Sequence, residues 1–368
     1  MYTSIPKLGF GMMRLPMIGK SVDIEQTKIM VDRFIEAGFT YFDTARGYID
    51  GLSERAVKEA LSDRYPRDKY LLADKYSWWC VKDGDSEGFF NSQLERTGVE
   101  YFDFYLIHAI DKSSYEKYNE QNAWQFCAEL KKKGLVKNFG FSFHDDAEFL
   151  DKLLTEHPEV DFVQLQLNYL DWESQSVQSE KCYHVARKHG KDVIVMEPVK
   201  GGALAVLPED CRKMLAAVSP DKSPASFALR FVASLDGIIT VLSGMSLTEQ
   251  AEDNIATMTE FLPLSAEETE AVAAVAEYLD AVPTVPCTAC KYCVENCPMG
   301  IAIPGIIRGA YNSYLSYDNL PMSKDKYKFA LSNGKGADEC IACGACLEVC
   351  PQKIEIPSIL EKCKKLFC

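Results

Sequence analysis

Residues 42–61, FDTARGYIDGLSERAVKEAL, contain the end of an apolar strand, a polar loop and an amphipathic helix. The β-prone residues stop at Asp43, and the later SERAVKEAL places its apolar side chains on one helical face. A strand followed closely by a helix is the repeating unit of α/β proteins. The stretch therefore predicts an α/β fold built from such units.

The same alternation runs from residue 25 to about residue 255. Seven apolar runs have the pattern of strands, and KLGFGM at residues 7–12 supplies an eighth. The seven are Thr40–Asp43, Tyr70–Lys75, Phe102–His108, Val136–Ser142, Phe162–Gln166, Asp192–Met196 and Gly237–Leu242. Eight strand–helix units in roughly 250 residues favour a closed (β/α)8 TIM barrel over an open sheet.

The last part of the chain is set apart by its cysteines. Eight of the 14 cysteines lie in CTACKYCVENCP (287–298) and CIACGACLEVCP (340–351). Each copy has the spacing C-x2-C-x2-C-x3-C-P, in which one loop supplies three thiolates to a [4Fe–4S] cubane. Zinc sites use paired CxxC motifs instead, so the spacing argues against zinc.

In two-cluster ferredoxins the fourth cysteine of each motif binds the other cluster. Carried over to this chain, that rule predicts two [4Fe–4S] clusters with four ligands each. The ligand sets are Cys287, Cys290, Cys293 and Cys350, and Cys340, Cys343, Cys346 and Cys297. Cys363 and Cys368 lie outside the pattern and are not expected to be ligands.

The tail also contains an internal repeat. CPMGIAIPGII from Cys297 matches CPQKIEIPSIL from Cys350 at C, P, I, I, P and I. The spacer between the cysteine motifs contains two helix-like stretches. We therefore expect a barrel at residues 1–280, a linker at 281–286 and a small, mainly helical ferredoxin-like domain at 287–368.

Composition limits the possible partners. The formal charge of −14 argues against nucleic acid, because a phosphate-binding groove needs clustered Lys and Arg. Apolar runs fall short of the roughly 20 residues that span a membrane, and the first residues lack a secretory signal pattern. Clustered cysteines favour metal binding in a reducing compartment over disulfides. The sequence predicts a cytoplasmic protein without nucleic-acid or membrane partners.

Polar side chains follow three consecutive predicted strands. They are Asp43 with Tyr48 just beyond it, Lys75 and His108. Barrel enzymes have their active sites at the C-terminal ends of the strands. A phenol titrates near pH 10, and a neighbouring ammonium should lower that pKa while a carboxylate holds the ammonium in place. Each residue alone fits a structural role, but the four on one rim predict an acid for carbonyl chemistry.

Over roughly residues 5–260 the chain resembles the aldo-keto reductase family. The segments FDTARGYIDGLSERAVKEAL, LLADK and DFYLIH are similar to the family's catalytic segments, and its tetrad falls on Asp43, Tyr48, Lys75 and His108. The resemblance implies that Tyr48 is the general acid in reduction of a small carbonyl substrate to an alcohol, an EC 1.1.1-like reaction. It also implies that NADP or NAD lies extended across the barrel mouth.

The same resemblance implies which residues contact the cofactor. The carboxamide would meet Ser142 and Gln164, with Asn168 nearby and Gln166 as the alternative to Gln164. The other implied contacts are Met196, where the family often stacks a tyrosine, Gly201 and Gly202 of EPVKGGAL, and Ser243, Gly244, Gln250 and Asn254 of SGMSLTEQAEDN. The last segment has no Lys or Arg to pair with a 2′-phosphate, which leaves NADP and NAD both open.

The two halves of the chain pose a chemical conflict, because hydride transfer needs no cluster and clusters move single electrons. The clusters could exchange electrons with a partner ferredoxin or flavoprotein, or they could be structural or redox-sensing. In a third interpretation the barrel binds a flavin. Tyr48 and Lys75 have no evident flavin role, which favours the first two. A nicotinamide-binding sensor without enzymatic activity also stays open.

Overall fold

The computed structural model describes Tyr2 and residues 4–368. Across these residues the strands are β1 (Leu8–Gly11), β2 (Met17–Ile18), β3 (Ser21–Val22), β4 (Tyr41–Asp43), β5 (Leu71–Tyr76), β6 (Phe102–Ile110), β7 (Val136–Phe143), β8 (Phe162–Gln166), β9 (Asp192–Met196) and β10 (Ile238–Gly244). The eight predicted strands agree with β1 and β4–β10 to within two residues at each end, where assignments commonly differ.

Helices connect the strands and form most of the tail. They are α1 (Ile24–Glu36), α2 (Ser53–Val57), α3 (Ser86–Thr97), α4 (Tyr115–Glu120), α5 (Ala123–Lys132), α6 (Ala147–Glu156), α7 (Ser179–Lys188), α8 (Glu209–Val218), α9 (Pro224–Ala233), α10 (Thr248–Thr259), α11 (Ala266–Asp280), α12 (Tyr292–Glu295), α13 (Asn312–Tyr317), α14 (Leu320–Ala330), α15 (Ala345–Glu348) and α16 (Ile356–Phe367). Two π-helical segments, Lys58–Ser62 and Gly305–Tyr311, adjoin α2 and α13.

Strands β1 and β4–β10 close into a parallel barrel in the order β1-β10-β9-β8-β7-β6-β5-β4. Closure occurs at β1, where Gly11 is the register partner of both Gly244 on β10 and Asp43 on β4. The short hairpin of β2 and β3 lies between β1 and α1 in the chain. The predicted (β/α)8 barrel is therefore confirmed.

The interior of the barrel is filled by side chains that alternate along the strands. Phe104 contacts Tyr41 and Phe162, with ring centroids 5.0 Å and 5.2 Å apart. Gly140 on β7 allows a close approach to β8, because a Cβ there would lie 2.4 Å from the carbonyl oxygen of Phe162. Two residues further along, Ser142 is the register partner of Gln164. This packing presents both polar side chains at the C-terminal end of the barrel.

The described residues form two compact units. The first comprises the residues up to Lys200 and Ala225–Ala266, and it contains the whole barrel. The second comprises Gly201–Pro224 and Glu267–Cys368. Among the described residues, every helix is too short or too polar to cross a membrane.

The tail has its own hydrophobic core, which combines the two copies of the repeat. Ile301 and Ile303 of the first copy and the matching Ile354 and Ile356 of the second are all buried in it. The C-terminal helix α16 adds Leu360, Cys363 and Phe367 to the same core. The predicted mainly helical domain is confirmed, and the predicted linker meets it at Val285, whose backbone exchanges two hydrogen bonds with the side chain of Asn312.

A buried carboxylate on α2 anchors the outer face of the barrel behind β5. Glu54 is fully buried and accepts hydrogen bonds from Arg46 at 2.7 Å, from Arg96, and from Gln93 at 3.3 Å. Gln93 also donates to the backbone oxygen of Lys75 at 3.0 Å. Because both guanidinium groups are largely buried, removing the carboxylate would leave two uncompensated charges.

We therefore expect Glu54→Gln to lower the free energy of unfolding by about 3 kcal/mol, within the range for breaking a buried ion pair. Urea denaturation of the whole chain measures this. The control is Glu25→Gln, which removes the exposed Glu25–Lys28 pair and should change stability by less than about 0.5 kcal/mol. Equal effects of the two substitutions would contradict the assigned role of Glu54.

Candidate functional site

The C-terminal rim of the barrel brings together the four side chains predicted from the strand ends. Asp43 ends β4 and Lys75 lies near the end of neighbouring β5, where Lys75 Nζ lies 2.6 Å from Asp43 Oδ1. The same ammonium donates to the backbone oxygen of Thr44 at 2.8 Å and lies 4.7 Å from the centroid of the Tyr48 ring. The His108 ring is 5.8 Å from that of Tyr48, edge to face.

The Lys75–Asp43 pair is almost completely removed from water, since their side chains are 1% and 3% exposed. Burial alone would lower the pKa of Lys75, but the charge of Asp43, followed by Tyr48, raises it above the ordinary lysine value. Burial raises the pKa of Asp43, and Lys75 opposes that rise. The pair therefore keeps a fixed positive charge next to the Tyr48 phenol.

Burial raises the pKa of Tyr48 to about 12, although the nearby Lys75 ammonium acts in the opposite direction. The sequence-based expectation of a lowered phenol pKa is therefore right about the influence of Lys75 and wrong about the net shift in this structure. The physical reason is that burial disfavours the phenolate more than one ammonium favours it. Tyr48 is thus fully protonated at neutral pH, as a proton donor must be.

His108 is held in its neutral form. Burial, assisted by the charge of Lys75, lowers its pKa well below the ordinary value. Its Nδ1 lies 2.8 Å from the hydroxyl oxygen of Ser77, and the Trp79 ring lies 5.2 Å from its own. When Ser77 donates to Nδ1, the proton of the neutral ring is on Nε2, where it can be donated to a carbonyl oxygen.

Two neighbouring strands present a matched donor and acceptor beside the tetrad. The Ser142 hydroxyl accepts a hydrogen bond from the backbone N–H of Ala109 at 2.7 Å, which leaves its proton free to donate. Gln164 is 2% exposed, and its Oε1 has no hydrogen-bond partner among the described residues. A primary carboxamide needs one donor and one acceptor, so Ser142 and Gln164 fit the carboxamide of a nicotinamide cofactor.

The other residues predicted near the carboxamide are engaged elsewhere. Gln166 donates from Nε2 to Asp171 at 3.1 Å. Asn168 donates to the same carboxylate at 2.8 Å and to the backbone oxygen of Glu197 at 3.2 Å. Met196 ends β9 and is half-buried. Of the two glutamines that the sequence left open, Gln166 is held by Asp171 through its Nε2, whereas Gln164 has a buried Oε1 without a hydrogen-bond partner among the described residues.

The glycines predicted for the diphosphate follow β9 after a short turn. Gly201 and Gly202 have φ of 63° and 97°, a conformation that disfavours residues with a side chain. A Cβ on Gly202 would meet no described atom within 4 Å, so its backbone faces open space. Because neither residue has a side chain, the backbone of the pair allows a phosphate to approach closely.

The predicted adenosine segment begins at the end of β10. The Ser243 hydroxyl accepts from Asn254 at 2.9 Å, and Gln250 Oε1 accepts from the backbone N–H groups of Ser246 and Leu247 at 2.8 Å and 3.2 Å. This segment lacks a cation in sequence, but the structure brings one from the loop after β1. A Cβ on Gly244 would lie 3.2 Å from Cδ of Arg14.

In the tail the eight motif cysteines line two separate cavities. Cys287, Cys290, Cys293 and Cys350 surround one, and Cys297, Cys340, Cys343 and Cys346 surround the other. The fourth cysteine of each motif therefore lies with the other motif, as expected by analogy with two-cluster ferredoxins. Among the described residues, no three Cys, His, Asp or Glu side chains gather closely enough to hold a single metal ion.

The two cavities are built from equivalent positions of the repeat. Pro304 and Ile307 line the first cavity, and their counterparts Pro357 and Leu360 line the second. Within each cysteine loop the residues two and four places after the first cysteine have positive φ: Ala289 and Lys291, and Ala342 and Gly344. The shared turns curl each loop around its cavity, and the apolar lining suits a group that is shielded from water.

Several side chains of the site were not singled out from the sequence. The Ser77 hydroxyl hydrogen-bonds to His108, and Gln93 donates to the backbone oxygen of Lys75. The Asp171 carboxylate accepts hydrogen bonds from Gln166 and Asn168. None of these residues stands in a motif that is distinctive on its own. The available signal was position, since Ser77 and Asp171 both lie shortly after the C-terminal end of a barrel strand.

Comparison with known proteins agrees with both parts of the chain. A model of the aldo/keto reductase family matches residues 7–277, and a model of a 4Fe-4S dicluster domain matches residues 286–355. Protein REDOX 2 of Catharanthus roseus is 28% identical over 231 residues, which are 56% of this chain and 68% of that protein. Methylglyoxal reductase DkgA of Yersinia pestis is 25% identical over 232 residues, covering 62% of this chain and 74% of that protein.

Solved structures show the same barrel. The holo form of aldo-keto reductase AKR11C1 from Bacillus halodurans aligns with a TM-score of 0.59 at 26% identity, over 73% of this chain and 92% of that chain. An aldo-keto reductase from Klebsiella pneumoniae in complex with NADPH aligns with a TM-score of 0.59 at 20% identity, over 74% of this chain and 91% of that one. The second alignment is a likeness of fold.

Proposed function

Because the chain belongs to the aldo/keto reductase family, we propose that its barrel reduces a small aldehyde or ketone to the alcohol at the Tyr48 site. The observation that carries the proposal is the buried Lys75–Asp43 pair, with Lys75 Nζ 2.6 Å from Asp43 and 4.7 Å from the Tyr48 ring centroid. This arrangement supplies a proton where the oxygen of a reduced carbonyl needs one.

When bound, NADPH or NADH supplies the hydride that reduces the carbonyl carbon. Ser142 and Gln164 hold the carboxamide through the free hydroxyl proton and the free Oε1. His108 donates from Nε2 to the substrate oxygen and orients it. Tyr48 donates its phenolic proton to that oxygen, and Lys75 stabilises the phenolate that remains. Asp43 keeps Lys75 charged and in position.

NADPH is the proposed donor because Arg14 lies beside Gly244, in the segment implied to contact the adenosine end. A guanidinium suits a 2′-phosphate, which NADH lacks. Each assay should be run once with NADPH and once with NADH. Methylglyoxal is a reasonable first substrate, since one relative is named as a methylglyoxal reductase.

For the tail we propose two [4Fe–4S] clusters, one in each cysteine-lined cavity, which exchange electrons with a partner ferredoxin or flavoprotein. The supporting observation is that four thiols surround each cavity in the crossed arrangement. The family match to a dicluster domain supports the same content. The clusters supply one-electron chemistry that the barrel residues do not.

Replacement of the proposed acid is the first test. Tyr48→Phe should lower kcat for carbonyl reduction at least about 100-fold, because the proton donor is lost. The dissociation constant for NADPH, read from nicotinamide fluorescence, should change less than threefold. Tyr41→Phe is the matched control, since this buried phenol also lies inside the barrel and should leave kcat unchanged. Unchanged turnover in Tyr48→Phe would contradict the proposal.

The pH dependence tests the state of His108. Because the pKa of His108 lies well below its ordinary value, the ring stays neutral as the pH falls through 6.5. Hence kcat/KM for reduction should not decline between pH 7.5 and pH 5.5. A tenfold loss per pH unit beginning near 6.5 would show that His108 gains a proton there, and the assigned role would be wrong.

The cluster content is tested by metal analysis. After anaerobic purification the chain should contain about eight irons, and Cys293→Ser should retain about four, because one cluster loses a ligand. Cys363→Ser is the control, since this cysteine lies outside both cavities and should leave the iron content unchanged. Zinc in place of iron, or about four irons in the unaltered chain, would remove the two-cluster proposal.

A further inference from the structure

We infer that Asp171 is a positioning residue of the cofactor site, which holds Lys200 and the turn before Gly201 and Gly202 in the conformation that receives the diphosphate. The inference rests on the proposed function, because it concerns the same nicotinamide cofactor. It assigns a role to a side chain that no sequence motif marks. Asp171 acts through Lys200 and not by touching substrate or cofactor.

The carboxylate of Asp171 accepts hydrogen bonds from three side chains. Asp171 is 4% exposed, and its side chain accepts from Asn168 Nδ2 at 2.8 Å, Gln166 Nε2 at 3.1 Å and Lys200 Nζ at 2.5 Å. Its own backbone N–H donates to Asn168 Oδ1 at 2.8 Å. A carboxylate buried to this degree is stable only when it is paired, so the donors are fixed in place around it.

These contacts join the ends of two barrel strands. Gln166 is the last residue of β8, and Lys200 follows the end of β9 at Met196 by four residues. Asn168 also donates from Nδ2 to the backbone oxygen of Glu197 at 3.2 Å. The turn from Glu197 to Lys200 is therefore held at both ends by groups that Asp171 organises.

The turn needs such support because its backbone is strained. Glu197 and Lys200 have φ of 57° and 49°, which residues with a side chain adopt at a cost in free energy. Strained residues persist where surrounding contacts hold them, and they are common at binding sites. The ion pair of Asp171 with Lys200 and the hydrogen bond from Asn168 to Glu197 are those contacts here.

The held turn leads directly into the glycine pair. Gly201 and Gly202 both have positive φ, and because they have no side chain their backbone allows a phosphate to approach closely. Lys200 adds a positive charge at the residue that precedes them. By fixing Lys200, Asp171 sets where its charge lies before the cofactor arrives, which lowers the entropy lost on binding.

The test is the affinity for cofactor in Asp171→Asn. The dissociation constant for NADPH, and for NADH in parallel, should rise about tenfold, while kcat at saturating cofactor stays within threefold because the tetrad is untouched. The control is Asp161→Asn, because Asp161 also accepts from a lysine, Lys131, and from a backbone N–H, that of Phe139. Asp161 directly precedes β8 and so lies at its other end. Its replacement should change the dissociation constant less than twofold.

Two Lys200 variants distinguish an effect of the lysine charge from an effect on folding. They test the role of Asp171 even if Asp171→Asn fails to fold. Lys200→Met should raise the dissociation constant about tenfold, and Lys200→Arg, which keeps the charge, should stay within threefold of the unaltered chain. A folded Asp171→Asn that binds within twofold of the unaltered chain would overturn the inference. So would an equal effect of Asp161→Asn, or Lys200→Met binding as tightly as Lys200→Arg.

The binding assay needs no carbonyl substrate, so the two proposals fail separately. The expected pattern of dissociation constants without any carbonyl turnover would contradict the proposed reaction and leave the role of Asp171 standing. Normal turnover with unaffected cofactor binding in Asp171→Asn would contradict only the role of Asp171. If the unaltered chain bound neither NADPH nor NADH, both proposals would be wrong.

Discussion

The buried ion pair between Lys75 and Asp43 is the interaction on which the barrel site depends. An ammonium that is 1% exposed is stable only next to a compensating charge, and the adjacent strand supplies it at 2.6 Å. The pairing of β4 with β5 sets this distance, so the barrel itself determines the electrostatics of the site. Gln93 secures the backbone of Lys75 from outside, through a network that also contains Glu54. The charge is thereby fixed close to Tyr48.

The tail meets a different constraint, which is to arrange four thiols around each of two apolar cavities. The internal repeat meets this constraint, because the same turn and the same apolar positions occur at both cavities. Exchange of the fourth cysteine between the motifs makes each cavity depend on both copies. The tail is thus one framework rather than two independent loops, and its hydrophobic core contains residues of both copies.

Much of this arrangement was predictable because its signals are local. The alternation of strands and helices predicted the barrel. The analogy with two-cluster ferredoxins predicted the grouping of Cys350 with the first motif and Cys297 with the second. Strand ends predicted that Asp43, Lys75 and His108 share one rim, because parallel strands end on the same side.

The rest depends on contacts between distant segments. Arg14 reaches Gly244 only because β1 and β10 are neighbours in the closed barrel. Asp171 becomes a centre of hydrogen bonding only when β8 and β9 lie side by side. The raised pKa of Tyr48 follows from the extent of its burial, which no run of residues expresses. Packing, rather than any motif, decides these features.

Isotope labelling shows whether the barrel transfers a hydride directly to a carbonyl carbon. Each C4 epimer of deuterated NADPH would be incubated anaerobically with the protein and an aldehyde, and the alcohol examined by mass spectrometry. Direct hydride transfer would place deuterium on the carbinol carbon from one epimer only. Alcohol that forms without deuterium from either epimer would contradict it, because electrons would then have passed through another carrier.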